Sequence, residues 1–212
     1  MTARYYFQKA QTIAQDIRKR DIDDTRTSTN FCETFSKKET LKYHEVVQKY
    51  GLYKYKYEKD DINVAVLTGD IYIAGNLTGK WIINQVKELG LNGYMTLIDG
   101  NVIIDGDLLD DGNFGFLLIK GNLKCDYIFS ENGHIDVYGD AEIKYAIAGE
   151  YNDGHIEIFG KTNVPYVITN DHMVSIIPKN ETITVEHICN ERENIWLEIY
   201  GGQYHLMDAV RI

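Results

Sequence analysis

Thr68-Gly69-Asp70-Ile71-Tyr72-Ile73-Ala74-Gly75-Asn76-Leu77 is answered 31 residues later by Asp99-Gly100-Asn101-Val102-Ile103-Ile104-Asp105-Gly106-Asp107-Leu108. Each copy sets a short apolar strand between two glycines, and Asn or Asp then Leu follows the second. The closing phrase returns as Ile119-Lys120-Gly121-Asn122-Leu123, Val137-Tyr138-Gly139-Asp140-Ala141 and Ile158-Phe159-Gly160-Lys161-Thr162. Self-similarity at roughly 15 to 30 residues marks an architecture of stacked coils. Strands of three to five residues, with Gly, Asn or Asp supplying positive φ at sharp corners, suit such a stack.

Outward from this phrase, strands are expected at 63–67, 95–98, 102–104, 116–119, 127–129, 135–138, 141–144, 156–159 and 164–169. Residues 80–93 interrupt them. Trp81, Ile82, Val86 and Leu89 fall at helical spacing there, and Gly90 closes the turn. Strict hexapeptides are absent, which excludes a left-handed helix of the acyltransferase kind. The expected fold is mainly β: an irregular right-handed β-helix (a solenoid), with an N-terminal α-helical segment and a C-terminal β cap. A twisted sandwich is the alternative. The divisions are 1–60 for the helical segment, 61–177 for the repeat body and 178–212 for the cap.

In the first segment, Phe7, Ala10, Ile13, Ala14 and Ile17 predict an amphipathic helix over 5–20, and 21–35 reads as a polar loop. Ser36 followed by Glu39 reads as a capping box opening a helix that runs to Tyr50 and stops at Gly51. Tyr53, Tyr55 and Tyr57 alternate with Lys54 and Lys56, an edge-strand pattern. In the last segment, alternation over 182–189 and 195–200, and a final strand over 204–212, predicts the cap.

Charge is divided unevenly. Residues 1–60 carry net +4, residues 61–172 net −11 and residues 173–212 net −3. The repeat body holds no arginine. Direct binding to nucleic-acid phosphate is therefore not expected of it, and a basic partner is its natural complement. No run of 18 apolar residues exists, so no membrane span is expected. The start MTARYYFQKAQ lacks an apolar h-region, so no secretory signal is expected. Cys32, Cys125 and Cys189 match no zinc spacing and suggest reduced thiols in a cytoplasm.

The Gly-[Asp/Asn]-Leu phrases and the stretch 147–172 resemble the β-helical repeat proteins described as polymer-forming or bactofilin-like. One bacterial subset has a coil of the form GYYN-x-G followed about 17 residues later by DDH. This chain has Gly149-Glu150-Tyr151-Asn152-Asp153-Gly154, then Asn170-Asp171-His172. Glu150 stands for the first Tyr and Asn170 for the first Asp. The resemblance covers about residues 95–175. It implies a partner in a bacterial toxin–immunity system.

No catalytic motif is present: there is no G-x-S-x-G, CxxC, HExxH or P-loop. No enzyme activity, cofactor or metal is expected. Asp105, Asp107, Asp110 and Asp111 form the densest acidic cluster, but the loop lacks the terminal Glu of a calcium-binding EF-hand. Asn152, Asp153, Asp171 and His172 converge if successive coils stack, and a corner-bonding role is favoured over general-base chemistry. His134, His155 and His172 lie near one coil apart, which reads as coincidence at one corner.

The function expected is an immunity (antitoxin) protein. Asp105, Asp107, Asp110, Asp111, Asp126, Asp136, Asp140, Glu150, Tyr151 and Asp153 would form an acidic surface. It would bind and block a basic toxin domain, a nuclease by preference. The 16 tyrosines supply anchors. The alternative is a bactofilin-like scaffold that self-assembles. A monomer or small oligomer is expected.

Overall fold

A computed structural model describes residues 31–33, 35–52, 61–91, 95–110, 115–150, 153–190, 194–201 and 204–206, together with Thr12. It is mainly β, and its repeat body is a β-solenoid. Parallel strands stack in three ladders.

The first ladder runs β3 (Asn63–Thr68), β6 (Met95–Asp99), β9 (Phe116–Ile119), β11 (His134–Val137), the first half of β13 (His155–Asn163), then β15 (Met173–Pro178). The second runs β4 (Ile71–Ile73), β7 (Val102–Ile104), then the first halves of β10 (Leu123–Ser130) and β12 (Ala141–Glu150), then the end of β13. The third runs β5 (Leu77–Thr78), β8 (Leu108–Leu109), the second halves of β10 and β12, β14 (Tyr166–Asn170) and β16 (Ile183–Asn190). Ile71 pairs with Val102 and Leu77 with Leu108, so the two copies of the opening phrase stack in register.

Alternate residues of each strand point inward. Leu67, Ile98, Leu117, Ile135 and Ile156 from the first ladder meet Ile71, Val102, Leu123 and Ala141 from the second, and Leu77, Leu108, Ile128 and Ile147 from the third. Each buried Leu or Ile contributes about 1.5–3 kcal/mol relative to exposure.

The glycines have two separate reasons. Gly69 (φ 134°) and Gly75 (φ 129°) adopt the expected positive φ. Gly100, Gly106, Gly121, Gly139 and Gly160 are not among the positive-φ residues; their constraint is space. A Cβ on Gly100 would lie 2.1 Å from the Gly69 carbonyl oxygen, and one on Gly160 2.2 Å from that of Gly139. The residue after each glycine completes the corner. Asp70 Oδ1 accepts from Asn101 N–H (2.7 Å), and Asn101 Oδ1 from Asn122 N–H (2.9 Å). Asn122 Oδ1 accepts from Asp140 N–H (2.8 Å), and Asp140 Oδ1 from Lys161 N–H (2.8 Å). The steps of this ladder are 31, 21, 18 and 21 residues. Asn122→Ala removes one such acceptor at an exposed corner. We expect a loss of about 1 kcal/mol in denaturant unfolding, with Asn122→Asp close to wild type because the acceptor oxygen is kept.

The long first step is explained by the inserted helix α2 (Gly79–Val86). Thr78 Oγ1 caps it by accepting from Trp81 N–H (3.3 Å), and Gly90 (φ 68°) ends the 3₁₀ turn that follows. Trp81 and Ile82 join the core.

The first segment departs from expectation. Residues 37–42 form a strand, β2 (Lys37–Lys42), antiparallel to β3. Ser36 caps no helix: its N–H donates to the Thr68 carbonyl (2.8 Å), and so does its hydroxyl (3.2 Å). Pairing the otherwise open edge of β3 outweighs the local capping signal. The helix is α1 (Tyr43–Tyr50), whose start is held by Glu45 accepting from Lys42 N–H (2.7 Å), and it ends at Gly51 as expected. Within the expected polar loop, β1 (Phe31–Glu33) pairs antiparallel with β4. Tyr43 and Val46 of α1 cluster with Val64, Val66, Met95, Leu97, Phe116 and Leu118 on the outward side of the first ladder. The expected helix over 5–20, save Thr12, and the strand over 53–57 lie outside the described residues. At the far end, β16 pairs antiparallel with β17 (Asn194–Gly201), and β17 with β18 (Tyr204–Leu206).

Candidate functional site

The outward side of the first ladder changes character along its length. Its register rows read Met95, Phe116, His134, His155, Met173 and Leu97, Leu118, Asp136, Glu157, Ser175. The first rungs are apolar and cluster with α1; the next two carry imidazoles and carboxylates. The Phe116 and His134 rings stack at 4.1 Å, and His134 meets His155 edge-on at 4.3 Å. His155 Nε2 lies 2.9 Å from Asp136 Oδ1, with Asp136 fully buried and His155 nearly so. His134 Nε2 lies 3.0 Å from the Asp153 carbonyl oxygen.

Burial, then the neighbouring His155, lowers the His134 pKa from 6.5 to about 4. Burial, then the Asp136 charge, raises that of Glu157. The ligand atoms of Asp136, His155 and Glu157 all lie within 4.8 Å of one another. The histidines are thus assembled, not scattered. His134 and His155 are register partners, and His172 acts electrostatically on His134. The His172 ring fills the space where a Cβ on Gly149 (2.3 Å) or Gly154 (2.7 Å) would sit. Asp171 is an exposed turn residue with φ 53°, and Asn152 lies outside the described residues.

The expected acidic surface is only partly assembled. Asp107 (2 % exposed), Asp110 (1 %) and Asp136 (0 %) are buried and are corrected out of it. Asp110 Oδ2 instead accepts from the backbone N–H groups of Glu131, Asn132 and Gly133, so the carboxylate builds the fold. Asp140 is exposed but holds its corner. Asp105 and Asp153 are exposed, and Asp126 is half-buried with Lys144 at 3.5 Å. Asp111 and Tyr151 lie outside the described residues, as does the side chain of Glu150.

What the fold does gather is a mixed patch. Tyr72, Ile103 and Tyr145 are 41 %, 42 % and 36 % exposed. Tyr72 and Ile103 are register partners. The Tyr72 hydroxyl donates to Asp105, which raises the phenol pKa. Tyr145 stacks on Tyr127 at 4.9 Å, beside the Lys144–Asp126 pair. Burial pushes the Cys125 thiol well above its ordinary value, so it is an inert core residue.

The His–carboxylate group was missed as a unit, although its signal is plain: Gly133-His-Ile-Asp-Val-Tyr-Gly139 recurs as Gly154-His-Ile-Glu-Ile-Phe-Gly160. With strand alternation, that repeat alone puts His and acid on one side, two rungs deep.

No family model matches this chain, and neither the curated proteins nor the solved structures supply a match. Among the described residues, no helix is long and apolar enough to cross a membrane.

Proposed function

We propose that this chain is a binding protein, not an enzyme: an immunity protein of the cytoplasm that blocks a basic toxin domain, a nuclease by preference. The observation that carries the reading is the patch of Tyr72, Ile103 and Tyr145 beside Asp105 and Asp126, on a repeat body of net charge −11. Exposed aromatics with carboxylates at their rim are the composition of a hot spot for a cationic partner. In this reading the solenoid is right-handed, the usual hand of parallel crossovers. The three antiparallel strands β16–β18 are its C-terminal cap, and the residues kept from the bactofilin-like subset belong to the coil at 149–172.

The test is co-expression. The C-terminal domain encoded immediately upstream is induced in a bacterium with and without this chain. Growth arrest rescued by the chain supports the reading; toxicity without rescue overturns it. With the complex in hand, Asp105→Lys with Asp126→Lys is expected to weaken binding by about tenfold or more and to reduce its sensitivity to salt, while Tyr72→Ala weakens binding without altering that sensitivity. Wild-type affinity in both variants would place the interface elsewhere.

One observation favours self-assembly as a second reading. Met173 (58 % exposed) and Ile177 (54 %) lie on β15, whose only strand partner among the described residues is β13. Because β2 pairs with β3 at the other end of that ladder, association through β15 gives a closed pair rather than a filament. Sedimentation of wild type against Ile177→Lys distinguishes a dimer from a monomer.

A further inference from the structure

We propose that Asp136, His155 and Glu157 form a binding site for a divalent first-row transition ion of the zinc class, clasping rungs β11 and β13 on the outward side of the first ladder. This is independent of the partner-binding patch.

Three observations carry it. The first is geometry. His155 and Glu157 stand two apart on β13, so both point outward with Asp136, while Ile135, Val137, Ile156 and Ile158 point into the core. The donor atoms lie within 4.8 Å of one another, and His155 Nε2 to Asp136 Oδ1 is 2.9 Å. Two ligands at about 2.0–2.2 Å from one ion are separated by roughly 3 Å at a right angle and about 3.4 Å at a tetrahedral one. The pair stands at that spacing through a hydrogen bond whose proton a bound ion would displace to solvent, and the Glu157 carboxylate lies within 4.8 Å of both.

The second is charge. Asp136 and Glu157 are direct cross-strand partners, a placement of like charges that opposes pairing. An imidazolium on His155 balances only one of them. A neutral imidazole and two carboxylates carry −2, which a divalent ion cancels. Loss of the ion leaves two facing carboxylates, one of them fully buried.

The third is the donor set and its access. One imidazole with two carboxylates suits zinc, cobalt, nickel, manganese or iron better than magnesium or calcium, which prefer all-oxygen shells. Glu157 is only half-buried, so the site is approached from its side, while Asp136 and His155 form the floor. His134, edge-on to His155 at 4.3 Å, fixes the ring that supplies the nitrogen. Three protein ligands leave positions open for water or a further ligand.

The full chain, stripped with a chelator, is titrated with zinc sulfate by calorimetry and by thermal unfolding, and with cobalt(II) chloride by visible absorption. One saturable zinc site is expected. The unfolding temperature should rise with the logarithm of zinc concentration, and cobalt should give a visible band that zinc abolishes. Glu157→Gln, at a half-exposed position, is expected to fold and to weaken binding by about tenfold or more. His155→Gln should remove the cobalt band, and His44→Ala, an exposed control on α1, should change neither. Should Asp136→Asn fail to fold, Glu157→Gln still decides. No saturable binding by the wild type below about 100 µM, or unchanged binding in Glu157→Gln, overturns the site.

Discussion

Gly121→Ala is expected to cost more than about 3 kcal/mol, enough to leave a chain of this size marginal or unfolded at 37 °C. The added Cβ would sit 2.4 Å from the Gly100 carbonyl oxygen, 2.6 Å from its carbon and 2.7 Å from Asn101 N. All three are backbone atoms of the rung below, so no rotamer change relieves the contact. Relief requires the coils to separate by roughly 1 Å, since carbon–oxygen contacts settle at about 3.4 Å or more. That movement would break the hydrogen bond from Gly121 N–H to the Gly100 carbonyl (3.0 Å) and the one Asn101 Oδ1 accepts from Asn122 N–H (2.9 Å). The comparison is Gly90→Ala. Gly90 has φ 68° and no atom within 4 Å of its would-be Cβ, so only the left-handed backbone opposes the substitution, at about 1–2 kcal/mol. Denaturant unfolding of both variants distinguishes the causes. Equal losses would mean that the corner glycines serve conformation alone and that the coils are not locked by contact.

The body of the fold was legible because one physical cause repeats. A strand, a glycine and an Asx recur at Gly69, Gly75, Gly100, Gly106, Gly121 and Gly139, and the 31-residue offset between the two longest copies is the register of β4 on β7 and β5 on β8. The role of the glycines was legible only in part. Positive φ is a property of one residue, whereas the crowding at Gly100 or Gly121 depends on which residue lies one rung below. Ser36 and Glu39 misled for the same reason. A capping box is a local preference of order 1 kcal/mol, and the demand of β3 for a partner is not local. Acidic residues were the least readable part of the site. Composition counts Asp105, Asp107 and Asp110 alike, yet the first is exposed and the other two are buried. The outward row of His134, Asp136, His155 and Glu157 was within reach of strand alternation once the Gly-His-Ile repeat is noticed.

Asp110→Ala is expected to destabilise the protein by on the order of 3–5 kcal/mol, lowering the unfolding temperature by roughly 10 °C. Asp110 follows β8 and is 1 % exposed. Its Oδ2 accepts from Glu131 N–H at 3.1 Å, Asn132 N–H at 3.0 Å, Gly133 N–H at 2.5 Å and the Ser130 hydroxyl at 3.2 Å. One carboxylate oxygen thus gathers three consecutive backbone donors of the turn between β10 and β11. Its own backbone N–H, donating to the Phe129 carbonyl at 2.8 Å, ties it to β10. Alanine keeps that backbone bond and leaves three donors without their acceptor: Gly133 is buried, Glu131 half-buried and Asn132 exposed, so water reaches the last most readily, and each N–H it does not reach costs about 1–3 kcal/mol. Asn at this position offers a neutral oxygen of the same reach. Asp110→Asn should therefore lose less than half as much as Asp110→Ala; its own loss measures the charge-assisted share, and the further loss in Asp110→Ala measures the neutral acceptor. Asp105→Ala, directly after β7 on the exposed side, should stay within about 0.5 kcal/mol of wild type. Equal small effects at 105 and 110 would mean that Asp110 does not hold the turn. The turn that Asp110 holds leads directly into His134 and Asp136, so the same variant also tests how far the outward His–carboxylate row depends on the coil beneath it.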